Sequence, residues 1–468
     1  MARPDRSAQL RDIERYRQPV LDHPLARGID PSEVSAFLAT LPATRFPANA
    51  YAARGPSPCL QPRGGFPRFD SQQSLTQALH EAGADFIPLT IDSYTRQNEY
   101  ETAAQLLQRS EEEERDYLNG YPLVCHGHEL SRELYRDIPK PISLRHGTPD
   151  ARLLVEIALA TGIVEIEGGG ICYCLPYSEG FPLDRCLLYW QYVDRICASY
   201  STPERPVHRE SFGPLSATLV PPAVAVCIQI IEALLAAEQG VLSFAVSFGQ
   251  TGSVVQDIAT ARVLRKLTRH YLDECGFGDT RDYLVYHQWM GQFPAQRPKA
   301  AALIACSSLI ANLVGADKIV VKTVDEALGV PTAGINAEAV DTVGYVMRTF
   351  QSAGDITSPL IDLETALIES QVRTMLDKIF SVSGDVFWES VFRAFQSGWI
   401  DVPFSPHADN ANQLISMRDG NGSIRIKEPG AMPISDQDLA AEHRLLESRE
   451  QDEDKTYRQL LKDITVMA

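Results

Sequence analysis

The stretch that decides the fold is ISLRHGTPDARLLVEIALATGIVEIEGGG, at residues 142–170. Two short runs of β-forming residues, ISLR and VEIE, enclose a segment of helical character, and each run ends in a polar, glycine-containing turn. A strand, a helix and a second strand in this order predict a parallel sheet, because parallel strands need a crossover between them. The polar residues that follow each strand then lie at the same edge of that sheet.

The same alternation continues over much of the chain. Nine runs are rich in β-forming residues: CLQPRGG, DFIPLTID, YPLVCHG, ISLRHG, VEIEGGG, SATLVPP, LSFAVSFG, YLVYHQWM and KIVVKT. Eight strand–helix units would close a TIM barrel, so one run is surplus or lies outside the barrel. We therefore predict an α/β fold, with a (β/α)8 TIM-barrel core at 58–350, an N-terminal helical arm at 1–57, and a C-terminal extension of helices and a hairpin at 351–468.

Three further segments have clear local signatures. AVCIQIIEALLAAEQG at 225–240 and AALIACSSLIANLVGA at 301–316 predict helices that are apolar enough to be largely buried. MRDGNGSIRIKEPG at 417–430 predicts a hairpin whose turn is Asp-Gly-Asn-Gly.

Three arginines follow three of the β-rich runs: Arg63 in CLQPRGG, Arg96 in LTIDSYTRQN and Arg145 in ISLRHG. TIM barrels keep their active sites at the C-terminal ends of the strands. A guanidinium is always charged, and its fork of donors matches a carboxylate. With few buried acids to neutralise them, three converging arginines predict a small anionic substrate with more than one carboxylate. The alternative is that each arginine pairs with a carboxylate at the barrel rim.

A glycine-rich segment, Glu167-Gly-Gly-Gly-Ile-Cys-Tyr-Cys-Leu-Pro-Tyr, follows another run. Glu167 beside an arginine cluster could bind a substrate ammonium or take its proton, or it could be an ordinary surface residue after a tight turn. Tyr173 and Tyr177 could donate hydrogen bonds to carboxylates or simply pack. Cys172 and Cys174 have no further Cys/His pair with ligand spacing, so they are interpreted as incidental small residues and no metal site is predicted.

Lys322 ends the apolar run KIVVKT. A lysine at that position could form a Schiff base or hold the hydroxyls of a ligand. Asp325 and Glu326 directly after it would keep it charged, which weighs against the Schiff base. His287 also ends a strand-like run, where a histidine is more often part of a structural hydrogen-bond network than a catalyst.

Composition excludes several classes of protein. The formal net charge of −18 argues against nucleic acid as a partner, since phosphate binding needs a basic surface. No apolar run reaches the roughly 18–20 residues that span a bilayer, and the charged start lacks a secretory signal. Nine scattered cysteines fit reduced thiols, so we expect a cytoplasmic protein.

Longer strings carry a family resemblance: PLTIDSYTRQN, LRHGTPDARLL, EGGGICYCLPY, RESFGPLSATLVPP, VVQDIATAR, HQWMGQFP and KIVVKTVDEALGVPT. From about residue 9 to its C-terminal segment, the chain resembles the large, epsilon-type subunit of glutamate mutase (methylaspartate mutase). That resemblance implies a TIM-barrel isomerase that works with adenosylcobalamin. It also implies a separate small cobalamin-binding subunit with a D-x-H-x-x-G motif, which this sequence lacks, in a heterotetramer built on a dimer of large subunits.

The resemblance also implies a reaction and roles for residues. The reaction is the radical interconversion of L-glutamate and (2S,3S)-3-methylaspartate, in which the substrate radical fragments and the fragments recombine at a different carbon. Substrate contacts match Arg63, Arg96, Arg145, His146, Glu167, Tyr173 and Tyr177, with Glu167 as the catalytic residue near the ammonium. Cofactor contacts match Gly65, Thr90, Asn119, Lys322 and Glu326, of which Lys322 and Glu326 would hold the adenosine ribose.

The sequence departs from the family pattern in two places. Cys172 and Cys174 stand where the family has polar residues, and the stretch after Arg63 diverges. Three alternatives therefore stay open: a mutase homologue that acts on a different amino acid, a lyase or aldolase-type barrel that uses Lys322, and a non-catalytic dicarboxylate-binding barrel.

Overall fold

A computed structural model describes residues 13–213, 219–350, 356–382 and 386–447. Eight parallel strands form a nearly closed barrel in the order β1-β8-β7-β6-β5-β4-β3-β2. The strands are β1 Cys59–Gln61, β2 Ile87–Thr90, β3 Ile142–Arg145, β4 Glu165–Glu167, β5 His208–Glu210, β6 Ser243–Gly249, β7 Arg281–His287 and β8 Lys318–Val320.

The edge between β1 and β2 is bridged by backbone hydrogen bonds. The amide of Phe86 donates to the carbonyl of Leu60 at 3.1 Å, and that of Thr90 donates to Gly64 at 3.0 Å. The predicted (β/α)8 TIM-barrel fold is therefore confirmed.

Seven of the nine predicted strands coincide with barrel strands, and the prediction of a strand at YPLVCHG was wrong. YPLVCHG leads into the helix Leu123–Glu133, which buries Leu123 and Val124 against the core. The fifth strand of the barrel is His208–Glu210, just upstream of SATLVPP, and residues 216–218 of that run lie outside the described residues. The polar sequence of this strand did not predict burial. Glu210 is nevertheless buried in ion pairs inside the barrel, and Arg209 is buried in an ion pair with Asp194 of the helix Leu183–Ser199.

Helices surround the barrel and extend it at both ends. The α-helices are Ile13–Leu21, Pro31–Thr40, Pro47–Ala53, Phe69–Glu81, Ser93–Arg96, Tyr100–Glu112, Leu123–Glu133, Arg152–Thr161, Leu183–Ser199, Pro222–Glu238, Val254–Glu274, Arg297–Leu313, Ala333–Thr349, Pro359–Ser381, Phe387–Gln396 and Asp436–Leu446. Two 3-10 turns, Pro24–Ala26 and Ala43–Arg45, join the first helices. None of the helices in the described ranges combines the length and apolar character that a bilayer crossing requires.

The two apolar helices differ in burial. Every residue of Pro222–Glu238 is buried, as predicted, because the helix Val254–Glu274 and the C-terminal helix Pro359–Ser381 cover it. Arg297–Leu313 buries one face, and Cys306 on its other face is exposed, so the prediction that this helix is largely buried was wrong.

The C-terminal residues pack against the barrel. The predicted hairpin is confirmed, with strands β9 Ile415–Arg418 and β10 Ile424–Glu428. Its turn is stabilised by the side chain of Asp419, which accepts hydrogen bonds from the amides of Asn421 (2.8 Å) and Ser423 (3.0 Å). Just before the hairpin, the hydroxyl of Ser405 donates to the carbonyl of Leu175 at 2.8 Å, which ties this segment to the loop after β4.

Candidate functional site

Four successive strands direct charged side chains to one end of the barrel. Arg63 follows β1, Arg145 ends β3 and Glu167 ends β4. Arg96 lies farther along than a strand end, in the short helix Ser93–Arg96 after β2, which Asp92 caps by accepting from two backbone amides. The Nε of Arg96 donates to the carbonyl of Ile91 at 2.7 Å, so the side chain folds back towards its own strand.

The charge of Arg63 acts on several of these groups. It lowers the pKa of Arg96, although burial is the larger cause, and it also opposes the raised pKa of Glu167. Within the described ranges, no carboxylate pairs with the guanidinium of Arg96. The structure therefore brings the arginines to one end of the barrel, and the Nη atoms of Arg96 have no carboxylate partner among the described residues.

Arg145 is already paired with buried acids. Its Nη1 donates to Oε1 of Glu210 at 2.9 Å, and its Nη2 forms an ion pair with Glu167. The expectation of few buried acids was therefore wrong for this arginine, and the rim-pairing alternative describes part of what is seen. Arg63 also has an acidic neighbour, because its Nη1 lies 3.3 Å from Oε1 of Glu326.

The acids around Arg145 belong to a larger buried ion-pair network. The Nζ of Lys318 lies 2.5 Å from Oε2 of Glu210 and also pairs with Glu165. Burial raises the pKa of Glu165 to about 7, although Lys318 opposes it. Burial would also raise the pKa of Glu210, but Lys318 and Arg145 outweigh it and hold that pKa well below its usual range. In this network the carboxylates of Glu165, Glu167 and Glu210 outnumber the two cations, Lys318 and Arg145. Glu165 is the acid whose pKa is raised closest to neutral pH.

Glu167 is held in a defined geometry. Its Oε1 pairs with Arg145, and its Oε2 accepts a hydrogen bond from the hydroxyl of Tyr173. Burial raises the pKa of Glu167, while Arg145 opposes the shift. Burial and the charge of Glu167 raise the pKa of Tyr173 well above its usual value, so Tyr173 remains a donor.

His146 is a neutral, buried ring behind this pair. It stacks on Trp190 with ring centroids 5.6 Å apart and meets Tyr173 edge-on at 5.0 Å. Burial lowers its pKa well below the usual value, and the nearby arginines Arg209 and Arg96 add to the shift. The amide of Thr148 donates to Nδ1 at 3.1 Å, so the ring proton lies on Nε2.

The loop after β4 is built for close packing. Gly168 has φ +118°, and a Cβ at this position would lie 2.4 Å from ring atoms of Trp190 and Tyr173. Only glycine satisfies both the backbone conformation and the space. Tyr177, at the far end of the loop, is 45% exposed at the barrel mouth, and its ring lies 5.8 Å from that of Phe212.

Several residues that support the site were not predicted from the sequence. Glu232 accepts hydrogen bonds from the amides of Ile171 (2.8 Å) and Cys172 (3.0 Å), and it is a lone acid in the middle of an apolar helix. Arg209 donates to the carbonyl of Gly168 at 2.9 Å and pairs with Asp194 at 2.6 Å. A charge in the middle of a mostly apolar helix is a signal that could have identified Glu232. Arg209 and Glu210 gave no such signal, because their strand was not recognised.

Lys322 and Glu326 form an ion pair just after β8. Burial and Arg63 lower the pKa of Lys322 to about 8, and Glu326 opposes the shift. The expectation that Asp325 also holds the lysine charged was wrong, because Asp325 pairs instead with Arg297 at 2.9 Å. Lys322, Glu326 and the loop 290–295 line a cavity of about 560 Å³.

The remaining predicted cofactor contacts lie near β2. A Cβ at Gly65 would lie 2.2 Å from the carbonyl oxygen of Thr90, so the backbone passes this strand at a distance that only glycine allows. The hydroxyl of Thr90 accepts from the amide of Gly64 at 3.3 Å. Asn119 accepts from the amide of Ser93 at 2.9 Å and so joins the loop before Leu123 to the start of the helix that carries Arg96.

Three side chains of the kinds that bind metal ions lie together inside the buried ion-pair network. Single atoms of Glu167, Glu210 and His287 all lie within 4.8 Å of one another. A cation in that position would compete with Arg145, which pairs with both carboxylates. Burial lowers the pKa of His287 well below the usual value, and its ring meets Phe212 edge-on at 5.6 Å. Arg145 therefore already supplies the cation that pairs with these two carboxylates.

Comparison with known proteins places this site in a family context. The family model described as methylaspartate mutase E chain (MutE) matches residues 47–468. The glutamate mutase epsilon subunit of Halobacterium salinarum is 40% identical over 446 residues, which cover 94% of this chain and 92% of the relative. That of Escherichia coli O157:H7 is 40% identical over 87% of this chain and 85% of its own length. That of Desulfitobacterium hafniense is 36% identical over 98% of this chain and 96% of its own length.

Proposed function

Since the chain belongs to the methylaspartate mutase E chain family, and is therefore an isomerase of the glutamate mutase type, we propose that it interconverts L-glutamate and (2S,3S)-3-methylaspartate. The observation that carries the proposal is that Arg63, Arg96, Arg145 and Glu167 follow or end four successive strands and lie at the same end of the barrel. Both compounds carry two carboxylates and one ammonium, which is the charge pattern that such a grouping complements.

The contacts among the arginines and Glu167 indicate which of them bind each charged group of the substrate. Arg145 and Glu167 are adjacent and opposite in charge, so together they suit the carboxylate and ammonium of an α-amino acid. Arg96 and Arg63 are then available to the second carboxylate. Tyr173 holds Glu167 from its other side, which limits the carboxylate to one orientation towards the ammonium.

The residues at the barrel mouth fit adenosylcobalamin. A ribose presents hydroxyl groups, and the paired side chains of Lys322 and Glu326 offer a donor and an acceptor beside a cavity of about 560 Å³. The backbone at Gly65, after β1, passes close to Thr90 at the end of β2, and Asn119 lies in the loop next to them. When bound, adenosylcobalamin supplies the radical that removes a hydrogen atom from the substrate.

The protein's own contribution is to hold the substrate and its fragments. The rearrangement breaks one carbon–carbon bond and forms another, so both fragments must stay in register. Arginine forks fix carboxylates in two directions, and this positioning can supply several kcal/mol of the barrier, roughly 7–11 in well-oriented systems. Glu167 keeps the ammonium protonated and oriented. The buried floor of Arg145, Glu210 and His146 excludes water from reactive fragments.

A partner subunit completes the enzyme in this proposal. The relatives are named as epsilon subunits, which implies that they assemble with another chain. This sequence contains no D-x-H-x-x-G motif. We propose that a small subunit with that motif binds most of the cofactor, in a heterotetramer with a dimer of this chain.

The proposal is tested by reconstitution. The purified chain, a small D-x-H-x-x-G subunit and adenosylcobalamin are incubated with L-glutamate, and with near analogues in parallel. We expect 3-methylaspartate by chromatography and a cob(II)alamin signal by electron paramagnetic resonance. Absence of both with glutamate would overturn the proposal. Turnover of an analogue alone would identify a mutase for a different amino acid, and dicarboxylate binding without any radical signal would identify a non-catalytic barrel.

A second candidate rests on the lowered pKa of Lys322. A buried amine with a pKa of about 8 is a better nucleophile than an ordinary lysine, which favours an imine-forming lyase. The ion pair with Glu326 opposes this use, because it holds the proton on the amine. Borohydride reduction with the substrate, followed by peptide mass analysis, would reveal an adduct on Lys322. We expect Lys322 to remain unmodified.

A further inference from the structure

The loop that follows β4 turns back on itself around Tyr177. The carbonyl of Cys174 accepts hydrogen bonds from the amides of Tyr177 (3.3 Å) and Ser178 (3.0 Å). The amide of Phe181 donates to the hydroxyl of Ser178 at 3.0 Å. The turn therefore begins at Cys174 and ends at Phe181, with Tyr177 between them, and we refer to residues 174–181 as the tyrosine bend.

One buried imidazole joins the two ends of the tyrosine bend. The Nε2 of His407, which is 2% exposed, lies 2.7 Å from the carbonyl oxygen of Phe181 and 3.3 Å from the Sγ of Cys174. The amide of Asp409 donates to Nδ1 at 3.0 Å, so the ring proton lies on Nε2 and is donated to that carbonyl. The thiol of Cys174 donates to the same oxygen at 3.4 Å. The ring that closes the bend thus comes from a residue 226 positions away from Phe181.

His407 belongs to a segment that is held by its own hydrogen bonds, residues 401–414, which we refer to as the C-terminal platform. Its centre is the buried carboxylate of Asp401, which is 1% exposed. This carboxylate accepts hydrogen bonds from the amides of Asn412 (2.9 Å), Gln413 (2.6 Å) and Leu414 (2.8 Å). None of these bonds involves the tyrosine bend, so His407 reaches the bend from a base that is fixed independently.

Two further contacts join the C-terminal platform to the same loop. The hydroxyl of Ser405 donates to the carbonyl of Leu175, inside the bend, at 2.8 Å. The amide of Leu183, just after the bend, donates to Oδ2 of Asp409 at 3.1 Å. Together with His407, the platform therefore contacts the loop within the bend, where its two ends meet, and just beyond it.

The tyrosine bend carries side chains of the candidate site. Tyr177 is 45% exposed, and its ring meets that of Tyr173 edge-on with centroids 5.9 Å apart. Tyr173 directly precedes Cys174, and its hydroxyl donates to Glu167. An exposed loop tip is mobile unless other residues restrain it. A shift where the bend closes would therefore move both tyrosines relative to Glu167.

We propose that His407 is a positioning residue of the substrate site, which locks the tyrosine bend and so fixes Tyr177 and Tyr173 relative to Glu167. It acts through the loop, by holding the carbonyl of Phe181, and not by contact with the substrate. The catalytic consequence rests on the function proposed above, whereas the locking of the bend does not.

The first test measures hydrogen exchange of backbone amides in the purified full-length chain by mass spectrometry. His407→Leu removes the donor, so amides in 174–183 should exchange about 3- to 10-fold faster than in the parent, which is the contribution of one hydrogen bond to local opening. His407→Gln offers an amide donor of similar reach and should bring exchange back to within about twofold of the parent. Exchange at the parent rate in His407→Leu would overturn the proposal.

Two sets of variants accompany this measurement. His443→Leu is the matched control, because His443 also holds a backbone carbonyl in the C-terminal extension, that of Lys427 at 2.9 Å, but contacts no residue of the bend. It should leave exchange in 174–183 unchanged. Cys174→Ala and Ser405→Ala each remove one contact to the bend and replace His407→Leu if that variant fails to fold. Unchanged exchange in both would overturn the proposal.

The second test uses the reconstituted complex with adenosylcobalamin and L-glutamate. His407→Leu should raise the KM for L-glutamate roughly 10-fold. A merely structural role would reduce the amount of active enzyme, which lowers the apparent kcat and leaves KM unchanged. His407→Leu combined with Tyr177→Phe should raise KM by less than the product of the two single effects, because His407 acts through the bend that carries Tyr177.

The two tests fail separately. A parent KM in His407→Leu, or single effects on KM that multiply in the double variant, would overturn the positioning role. If the parent complex shows no turnover of L-glutamate, the function proposed above fails instead. Hydrogen exchange needs no turnover, so it still decides whether His407 locks the tyrosine bend.

Discussion

Replacing Lys318 with methionine should destabilise the protein more than removing any surface cation. Lys318 is fully buried, and its Nζ pairs with Glu165 and lies 2.5 Å from Oε2 of Glu210. Methionine retains much of the side-chain volume but removes the charge. Glu165, Glu167 and Glu210 would then share Arg145 as their nearest cation.

The size of the effect follows from the burial of these acids. Removing one partner of a buried ion pair costs about 3–5 kcal/mol, because the remaining charge has neither water nor a counter-ion. Protonation relieves part of this cost. Burial already raises the pKa of Glu165 to about 7, and the loss of Lys318, which opposes that shift, raises it further.

The pH dependence has a definite sign. The folded state binds the proton of Glu165 more tightly than the unfolded state does. This carboxyl group therefore contributes stability that is present below its unfolded pKa of about 4.5 and is lost as the pH rises through about 7. The loss of stability in K318M should consequently be larger at pH 8 than at pH 6.

Urea unfolding followed by circular dichroism at pH 6 and pH 8 provides the measurement, with the first transition of each protein compared. Lys266→Met is the matched control, because Lys266 is 60% exposed and its pair with Glu369 at 2.8 Å should contribute less than about 1 kcal/mol. A K318M protein within about 1 kcal/mol of the parent, or one that loses more stability at pH 6 than at pH 8, would refute the reasoning.

Three further outcomes are expected. Arg96→Lys keeps the charge but loses the fork, so the KM for the amino acid should rise about 10- to 100-fold in steady-state assays; an unchanged KM would contradict a substrate role. Glu326→Gln should lower the pKa of Lys322 below about 8, so that Lys322 loses its charge at a lower pH than in the parent. In a titration between pH 6.5 and 9, the affinity for adenosylcobalamin should therefore begin to fall at a lower pH than in the parent. Gly65→Ala places a Cβ 2.2 Å from a backbone carbonyl oxygen and should cost about 1–3 kcal/mol in urea unfolding and weaken cofactor binding, whereas Gly55→Ala, with no atom within 4 Å, should do neither.

The barrel could be predicted from the sequence because most of its strands are rich in β-forming residues and are followed by a polar or glycine-containing turn. ISLRHG and LSFAVSFG have this form, and both are strands in the structure. The strand His208–Glu210 could not be recognised, since every one of its residues is polar or charged. The strand is stable because Arg145 and Lys318 of other strands neutralise Glu210, and these residues lie far away in the sequence.

The candidate site, like the barrel, could be predicted from the sequence only in part. Arg63, Arg145 and Glu167 were located by their position after strand-like runs, and the structure brings them to one end of the barrel. Their partners were not predictable. Glu210 and Lys318, 108 positions apart by their numbers, meet because β5 and β8 face each other across the barrel interior.

The sequence by itself determined the fold class, the family and the end of the barrel where the charged residues gather, because hydrophobic pattern, turn residues and long motifs are local properties. The tertiary structure decided which charges neutralise one another. It gave Arg145 two buried carboxylates, left Arg96 without one among the described residues, and brought His407 to Cys174 although they are 233 positions apart in the sequence. Ion pairs and hydrogen bonds depend on separations of a few ångströms, and only the folded barrel sets those separations.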